Sequence, residues 1–249
     1  MVNLIRNWEI PRPAYFQGNH SQDRSNLGHL LEEPKGLGNQ AAYSNGRMPT
    51  SICILVSGTG TGMDRILDAI KEKRIDCRVA GIIADRKGTG AEEKAAAHGH
   101  SVIVVSRKDP DFAGRIDETV SRINPDLVIL SGFLSILPPS LVDRFKNRII
   151  NTHPALLPCF GGMGFYGLKV HEAVIRSGSR YSGCTIHFVT GEVDSGPIIS
   201  QRVVPVFDDD TPETLAHRVK EAEHELMEET LILLTTRRFS VSGKRVSFS

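Results

Sequence analysis

Ile52-Cys-Ile-Leu-Val-Ser-Gly-Thr-Gly-Thr-Gly62 decides how this chain folds. Five successive apolar residues, Ile52–Val56, read as a strand buried on both faces. Glycines then break the run, and Met63–Lys73 follows with Ile66, Leu67 and Ile70 at helical spacing. A strand, a glycine turn and a helix make the opening unit of an α/β domain. Working outward, the spacing predicts further strands at Val79–Ala84, Val102–Val105, Leu127–Leu130 and Ile149–Asn151. Helical patterns at Ala91–His98, Phe112–Ile123 and Pro139–Phe145 alternate with them. Two later strand candidates, Thr185–Val189 and Ile198–Val204, follow without a full crossover and predict an antiparallel addition. Thr211 then caps a long helix, with Pro212 at its first position and Leu215, Val219, Ala222 and Leu226 in period. The expected fold is α/β: one Rossmann-like domain over 49–237, a mostly parallel twisted sheet with helices on both faces and an antiparallel edge addition. Residues 238–249 are expected as a short tail. Residues 1–48, rich in Asn, Gly, Pro, Ser, Gln and Arg with no apolar period, read as a disordered extension.

The glycines have chemical meaning too. Ser57-Gly-Thr-Gly-Thr-Gly62 turns backbone amides and a helix N-terminus towards one point, which suits a phosphate monoester. It is not a Walker loop, since no Gly-Lys-Ser/Thr follows, and Met63 spoils a dinucleotide fingerprint. Asp85, at the end of the second strand, stands where a ribose-binding acid would lie, so this region alone leaves a nicotinamide enzyme open. A strand–helix turn without a ligand is the plainer alternative.

The second informative stretch is Ile149-Ile-Asn-Thr-His-Pro-Ala-Leu-Leu-Pro158, read with Val189-Thr-Gly-Glu-Val-Asp-Ser-Gly-Pro197. Pro154 ends the strand, and Asn151 and His153, two apart, share a face. With Asp194 they supply an amide donor, an imidazole and a carboxylate. That set suits addition to a carbonyl, where donors steady an oxyanion and the carboxylate orients the imidazole. The same residues also read as a strand end with a solvated histidine and an Asx turn.

Composition narrows the classes. Net charge is +1 over 249 residues, which gives no field for nucleic acid or membrane. No apolar stretch approaches membrane-spanning length, and the first residues lack an apolar signal core. The 4 cysteines, Cys53, Cys77, Cys159 and Cys184, are scattered without a C-x-x-C pair and read as free thiols in a reducing compartment, expected to be the cytoplasm. The acids Glu9, Asp23, Glu32 and Glu33 weigh mildly against an organelle transit peptide.

Taken together, Ile52–Thr61, Leu130-Ser-Gly-Phe-Leu134, the Asn151 segment, Thr185-Ile-His-Phe-Val-Thr190, the Asp194 turn and Glu223-His224 resemble the formyltransferases that use 10-formyltetrahydrofolate. The likeness runs from about Ser51 to about Leu234. Within that family it is strongest to the branch that formylates glycinamide ribonucleotide (GAR) in purine synthesis. The resemblance implies Asn151, His153 and Asp194 as catalytic residues, and 10-formyltetrahydrofolate as co-substrate with no metal. It places the GAR phosphate and ribose at Gly60, Thr61, Gly62, Lys220 and Glu223. Gly62 stands where the family carries Asn, so one side-chain donor is lost there. The folate is expected against Ser135, Ile136 and Leu137, and against Thr190, Gly191, Glu192, Val193 and Asp194. Ser135 stands where an Arg is common. His187 is expected to be a satisfied structural histidine and Cys159 to be inert. The segment Phe160-Gly-Gly-Met-Gly-Phe-Tyr-Gly167 resembles the Gly-rich variant of a bacterial-type branch and reads as a mobile lid. The partners implied are small molecules, with no nucleic acid and no membrane, acting on a monomer or homodimer. Three alternatives stay: two relatives, a formyltetrahydrofolate deformylase and a methionyl-tRNA formyltransferase, and, from another class, a non-catalytic nucleotide- or folate-binding module. The first usually carries an N-terminal regulatory domain, and residues 1–48 are too short and polar for one. The second needs a C-terminal tRNA-binding domain, for which Arg237–Ser249 leave no room.

Overall fold

The computed structural model describes residues 49–249, so the expectation for 1–48 lies outside the described residues. Nine strands form one sheet in the order β3-β2-β1-β4-β5-β6-β7-β9-β8. The first five, β1 (Thr50–Val56), β2 (Cys77–Ala84), β3 (Ile103–Val104), β4 (Leu127–Ser131) and β5 (Ile149–His153), are parallel. Their order reverses beside β1, between β2 on one side and β4 on the other. In open α/β sheets the crevice at the carboxyl ends of such strands is where ligands bind.

The alternation within β1 splits the core in two. Ile52, Ile54 and Val56 face one side, packing with α1 (Thr61–Lys71), α2 (Gly90–Ala97), α5 (Leu168–Arg176) and α6 (Pro212–Thr236). Cys53 and Leu55 face the other, packing with Ile116 and Val120 of α3 (Phe112–Ile123) and with Leu141 and Val142 of α4 (Pro139–Arg144). Each such fully buried aliphatic contributes roughly 1.5–3 kcal/mol of transfer free energy. This is why an uninterrupted apolar run, rather than an alternating one, marks the central strand.

The remaining strands extend the sheet. Strand β6 (Tyr181–Phe188) pairs antiparallel with β5, and β7 (Ile198–Pro205) antiparallel with β6. The segment expected as a tail is instead a hairpin, β8 (Phe239–Ser242) and β9 (Arg245–Phe248), added beyond β7 through a parallel Ile198–Arg245 pairing. Its alternate residues Phe239, Val241, Val246 and Phe248 pack on the core, with Phe239 stacked on Phe188 at 5.4 Å. That period-2 pattern was the available signal. The addition beyond β5 therefore has four strands rather than two, antiparallel except where β9 meets β7. Helix α5 was likewise not expected: its buried face, Val170, His171, Ala173 and Val174, is short, and it follows a glycine-rich segment that reads as a loop. Helix α6 begins as its sequence predicts. The Thr211 side chain accepts from Thr214 N–H, Thr214 Oγ1 accepts from Thr211 N–H, and Pro212 opens the first turn.

Candidate active site

A cleft of about 960 Å³ opens along the carboxyl ends of β1, β4 and β5. It is lined by Gly58–Gly62, by Lys220, Glu223 and His224, and by Phe133–Leu137, Arg107 and Val142. Asn151, His153 and the 190–194 loop line it as well. All the candidate residues, Gly60, Thr61, Gly62, Ser135, Ile136, Leu137, Asn151, His153, Thr190 to Asp194, Lys220 and Glu223, therefore share one cavity.

The Asn-x-His pair is fixed by β5. Asn151 is the cross-strand partner of His187, and His153 of Thr185. His153 is almost wholly buried, with Nδ1 3.2 Å from Asp194 Oδ2 and Nε2 donating to the Phe160 carbonyl at 2.8 Å. Both ring nitrogens thus face groups that only accept. Asp194 reaches it from a loop closed by an Asp-x-Gly-Pro turn. Asp194 itself has φ 53°, and a Cβ on Gly196 would lie 1.7 Å from the Phe188 carbonyl oxygen, so only glycine permits this turn. Burial opposes the Asp194 charge. Even so, the imidazole of His153 and a 3.0 Å hydrogen bond from Gly162 N–H hold its carboxyl well below the usual carboxylate range.

His187 is satisfied as expected. Its Nδ1 donates to the Phe188 carbonyl at 3.0 Å, which leaves Nε2 to accept from Asn151 Nδ2 at 3.2 Å. This tautomer also orients the Asn151 amide, leaving its second N–H for the cleft.

The opposite wall comes from α6. Val219, Ala222 and Leu226 turn inward, so Lys220 and Glu223, three apart, share the face towards the cleft. Desolvation pushes the Glu223 carboxyl up to about 7, against the opposing pull of His153 and Lys220. In the glycine loop, a Cβ at Gly62 would meet Ser131 Oγ at 2.5 Å, so a larger residue would disturb it. The Ser131 hydroxyl fills that space and lines the cleft.

This geometry agrees with what the chain is similar to. The family model for formyl transferase matches residues 50–231, from the first strand to the last helix. The chain belongs to the formyl transferase family. A phosphoribosylglycinamide formyltransferase, chloroplastic, of Arabidopsis thaliana is 40% identical over 185 residues, covering 72% of this chain and 63% of the relative. The chain thus spans about three fifths of the length of the curated relative it matches. The phosphoribosylglycinamide formyltransferase of Escherichia coli (strain K12) is 33% identical over 178 residues, covering 70% of this chain and 82% of the relative. Among solved structures, glycinamide ribonucleotide transformylase 1 from Symbiobacterium toebii superposes with a TM-score of 0.75 at 34% identity, covering 86% of this chain and 99% of that one.

Sequence reasoning gave no role to several groups that line the cleft. His171, on α5, is buried with Nδ1 unpartnered, and burial followed by the nearby His153 lowers its pKa. His224 also has an unpartnered Nδ1, with its pKa lowered chiefly by burial. Arg65 and Arg107 add cations. Helical spacing could have drawn attention to Arg65 on α1 and His171 on α5, and His224 stands in the quoted Glu223-His224 motif; Arg107 lies in the turn before α3, where no period reports it. Cys53, Cys77 and Cys184 are buried thiols, pushed up to about 12 by desolvation. Cys159 is exposed and unbonded. Among the described residues no helix is long and apolar enough to cross a membrane, and no cluster of metal-ligating side chains occurs.

Proposed function

We propose that this chain transfers the formyl group of 10-formyltetrahydrofolate to the amine of GAR, giving formyl-GAR in purine biosynthesis. The observation that carries the reading is the His153–Asp194 pair, buried in the cleft between an anion-suited glycine loop and an apolar, main-chain-rich loop. In this account GAR lies at the α6 end. Its phosphate meets the amides of Gly60, Thr61 and Gly62, the Thr61 hydroxyl and Lys220, and its ribose hydroxyls donate to Glu223. The pteridine lies against Ser135, Ile136, Leu137 and the loop Thr190, Gly191, Glu192, Val193 and Asp194. Exposed Leu134, Ile136, Met163 and Val193 give that end an apolar rim.

The GAR amine attacks the formyl carbon, and negative charge develops on the formyl oxygen. Asn151 donates its free amide N–H there, and His153 donates a ring N–H. Preorganised donors of this kind are worth about 3 kcal/mol each. Asp194 holds and aims the imidazole from 3.2 Å. The proton lost by the amine passes through water to the departing folate nitrogen, so no covalent enzyme intermediate forms. For His153 to reach the oxyanion it must release the Phe160 carbonyl. Phe160 has φ 54°, a sparsely populated backbone state for an aromatic residue, at the head of the glycine-rich segment to 167. Movement of that segment on substrate binding supplies the release. The reading has the protein working as a monomer or homodimer in the cytoplasm, without a metal.

Incubation with 10-formyltetrahydrofolate and GAR, with a blank lacking GAR, tests this. Formyl-GAR formation supports the reading. Formate release that ignores GAR replaces it with a deformylase.

A further inference from the structure

Asp85 immediately follows β2 and is completely buried, yet no step of the proposed reaction uses it. A carboxylate withdrawn from water needs strong partners. Asp85 draws them from the ends of three strands. Ser57 Oγ, just beyond β1, donates to Asp85 Oδ2 at 2.7 Å, and Ser135 Oγ, in the loop after β4, donates to the same oxygen at 2.7 Å. Arg86 Nε lies 3.7 Å from Oδ1 and Arg107 Nη1 3.9 Å from Oδ2, offsetting the charge.

The direction of these bonds gives them a role. Ser57 has one proton and gives it to Asp85, so its oxygen is left to accept. It accepts the Leu134 N–H at 2.8 Å. Phe133 and Leu137 anchor the 132–137 loop in the core, but Leu134 is 55% and Ile136 69% exposed, so packing alone does not fix the stretch between the anchors. Asp85 ties it down twice, directly through Ser135 and indirectly through Ser57. We propose that Asp85 is a positioning residue that holds the 132–137 loop in its folate-binding shape. The inference rests on the folate reading of that loop.

The test pairs a ligand with a ligand-free readout. Dissociation constants for 5-formyltetrahydrofolate, which carries the formyl group on a different nitrogen, are measured by calorimetry on the full chain and its variants. Amide exchange of the 132–137 peptide is followed in parallel without ligand. Asp85→Ala and Ser135→Ala should each weaken binding about tenfold. In Asp85→Ala the peptide should also exchange faster. Asp85→Asn keeps an oxygen that accepts both hydroxyls, so it should bind within about threefold of wild type. A folded Asp85→Ala with unchanged binding, or with unchanged exchange at 132–137, overturns the proposal. Should Asp85→Ala not fold, Ser135→Ala, which removes one tie only, decides by the same two readouts. If wild type does not bind 5-formyltetrahydrofolate, the folate reading falls. Exchange in Asp85→Ala then decides separately whether Asp85 holds the loop.

Discussion

Two charged pairs line the cleft, and they are built in opposite ways. His153 and Asp194 are satisfied before any ligand arrives: each nitrogen of the ring has an acceptor, and the carboxylate collects an imidazole and a backbone N–H. Lys220 and Glu223, on α6, make no hydrogen bond or ion pair with the other described residues, and desolvation already raises the Glu223 pKa. Groups aimed by the protein suit a developing charge: once substrate binding has released the Phe160 carbonyl, Asp194 still holds the ring as the reaction proceeds. Groups left unsatisfied gain from a ligand that completes them, and so contribute binding.

If that contrast is right, the largest effects should come from the preorganised pair. His153→Ala and Asp194→Asn should each lower kcat by roughly 10²-fold or more with the fold retained by circular dichroism. A folded variant with near-normal turnover would remove that residue from the chemistry. Asp194 also carries a stability signature. Its depressed pKa means a contribution fully present above the ordinary carboxylate value of 3.8 and lost as pH falls below it. Asp194→Asn should therefore flatten the acid limb of thermal stability below about pH 4.

On the binding side the effects should be smaller and of a different kind. Lys220→Ala should raise KM for GAR about tenfold and leave kcat within about twofold, since a phosphate distant from the reacting amine binds alike in ground and transition states. Equal losses in kcat and kcat/KM would erase the distinction between the two walls. Glu223 tests the same wall by pH. A carboxyl raised to about 7 from 4.5 stabilises the fold most below pH 4.5, and that stabilisation is lost as pH rises through about 7. Glu223→Gln should thus melt at the same or a higher temperature than wild type at pH 8, and lower relative to it at pH 5. Parallel melting curves at the two pH values would show that Glu223 is not desolvated.

The smallest effect expected is at Gly62. Ser131 Oγ is the end of a short side chain and can rotate, so Gly62→Ala should cost only a few °C of Tm, the scale of about 1 kcal/mol. Ser131→Ala should cancel most of that cost in the double variant. Failure of the second change to rescue the first would mean that the two residues do not compete for the space.

Much of this site was legible because its residues are constrained by backbone. The run Ile52–Val56 needed burial on both faces, and Asn151 and His153 needed one face of a strand that Pro154 ends. Periodicity reports such constraints directly. The Asp85 network was not legible, because Ser57, Asp85 and Ser135 meet only when three strands lie side by side. His171 was hidden for a related reason: α5 is nine residues long and begins at Gly167, so its period is short and its start resembles the glycine-rich loop before it. The 239–248 hairpin shows a third limit. Four-residue strands carry too few alternations to stand out from a polar tail until their aromatic residues meet Phe188.

The central claim is that the cleft brings a folate-borne formyl group to the amine of GAR. Mass-spectrometric detection of product, with 10-formyltetrahydrofolate labelled in its formyl carbon, tests it most directly. The account predicts label in formyl-GAR at a rate that saturates with GAR, and loss of that label in His153→Ala. Label appearing as formate at the same rate with and without GAR would contradict it.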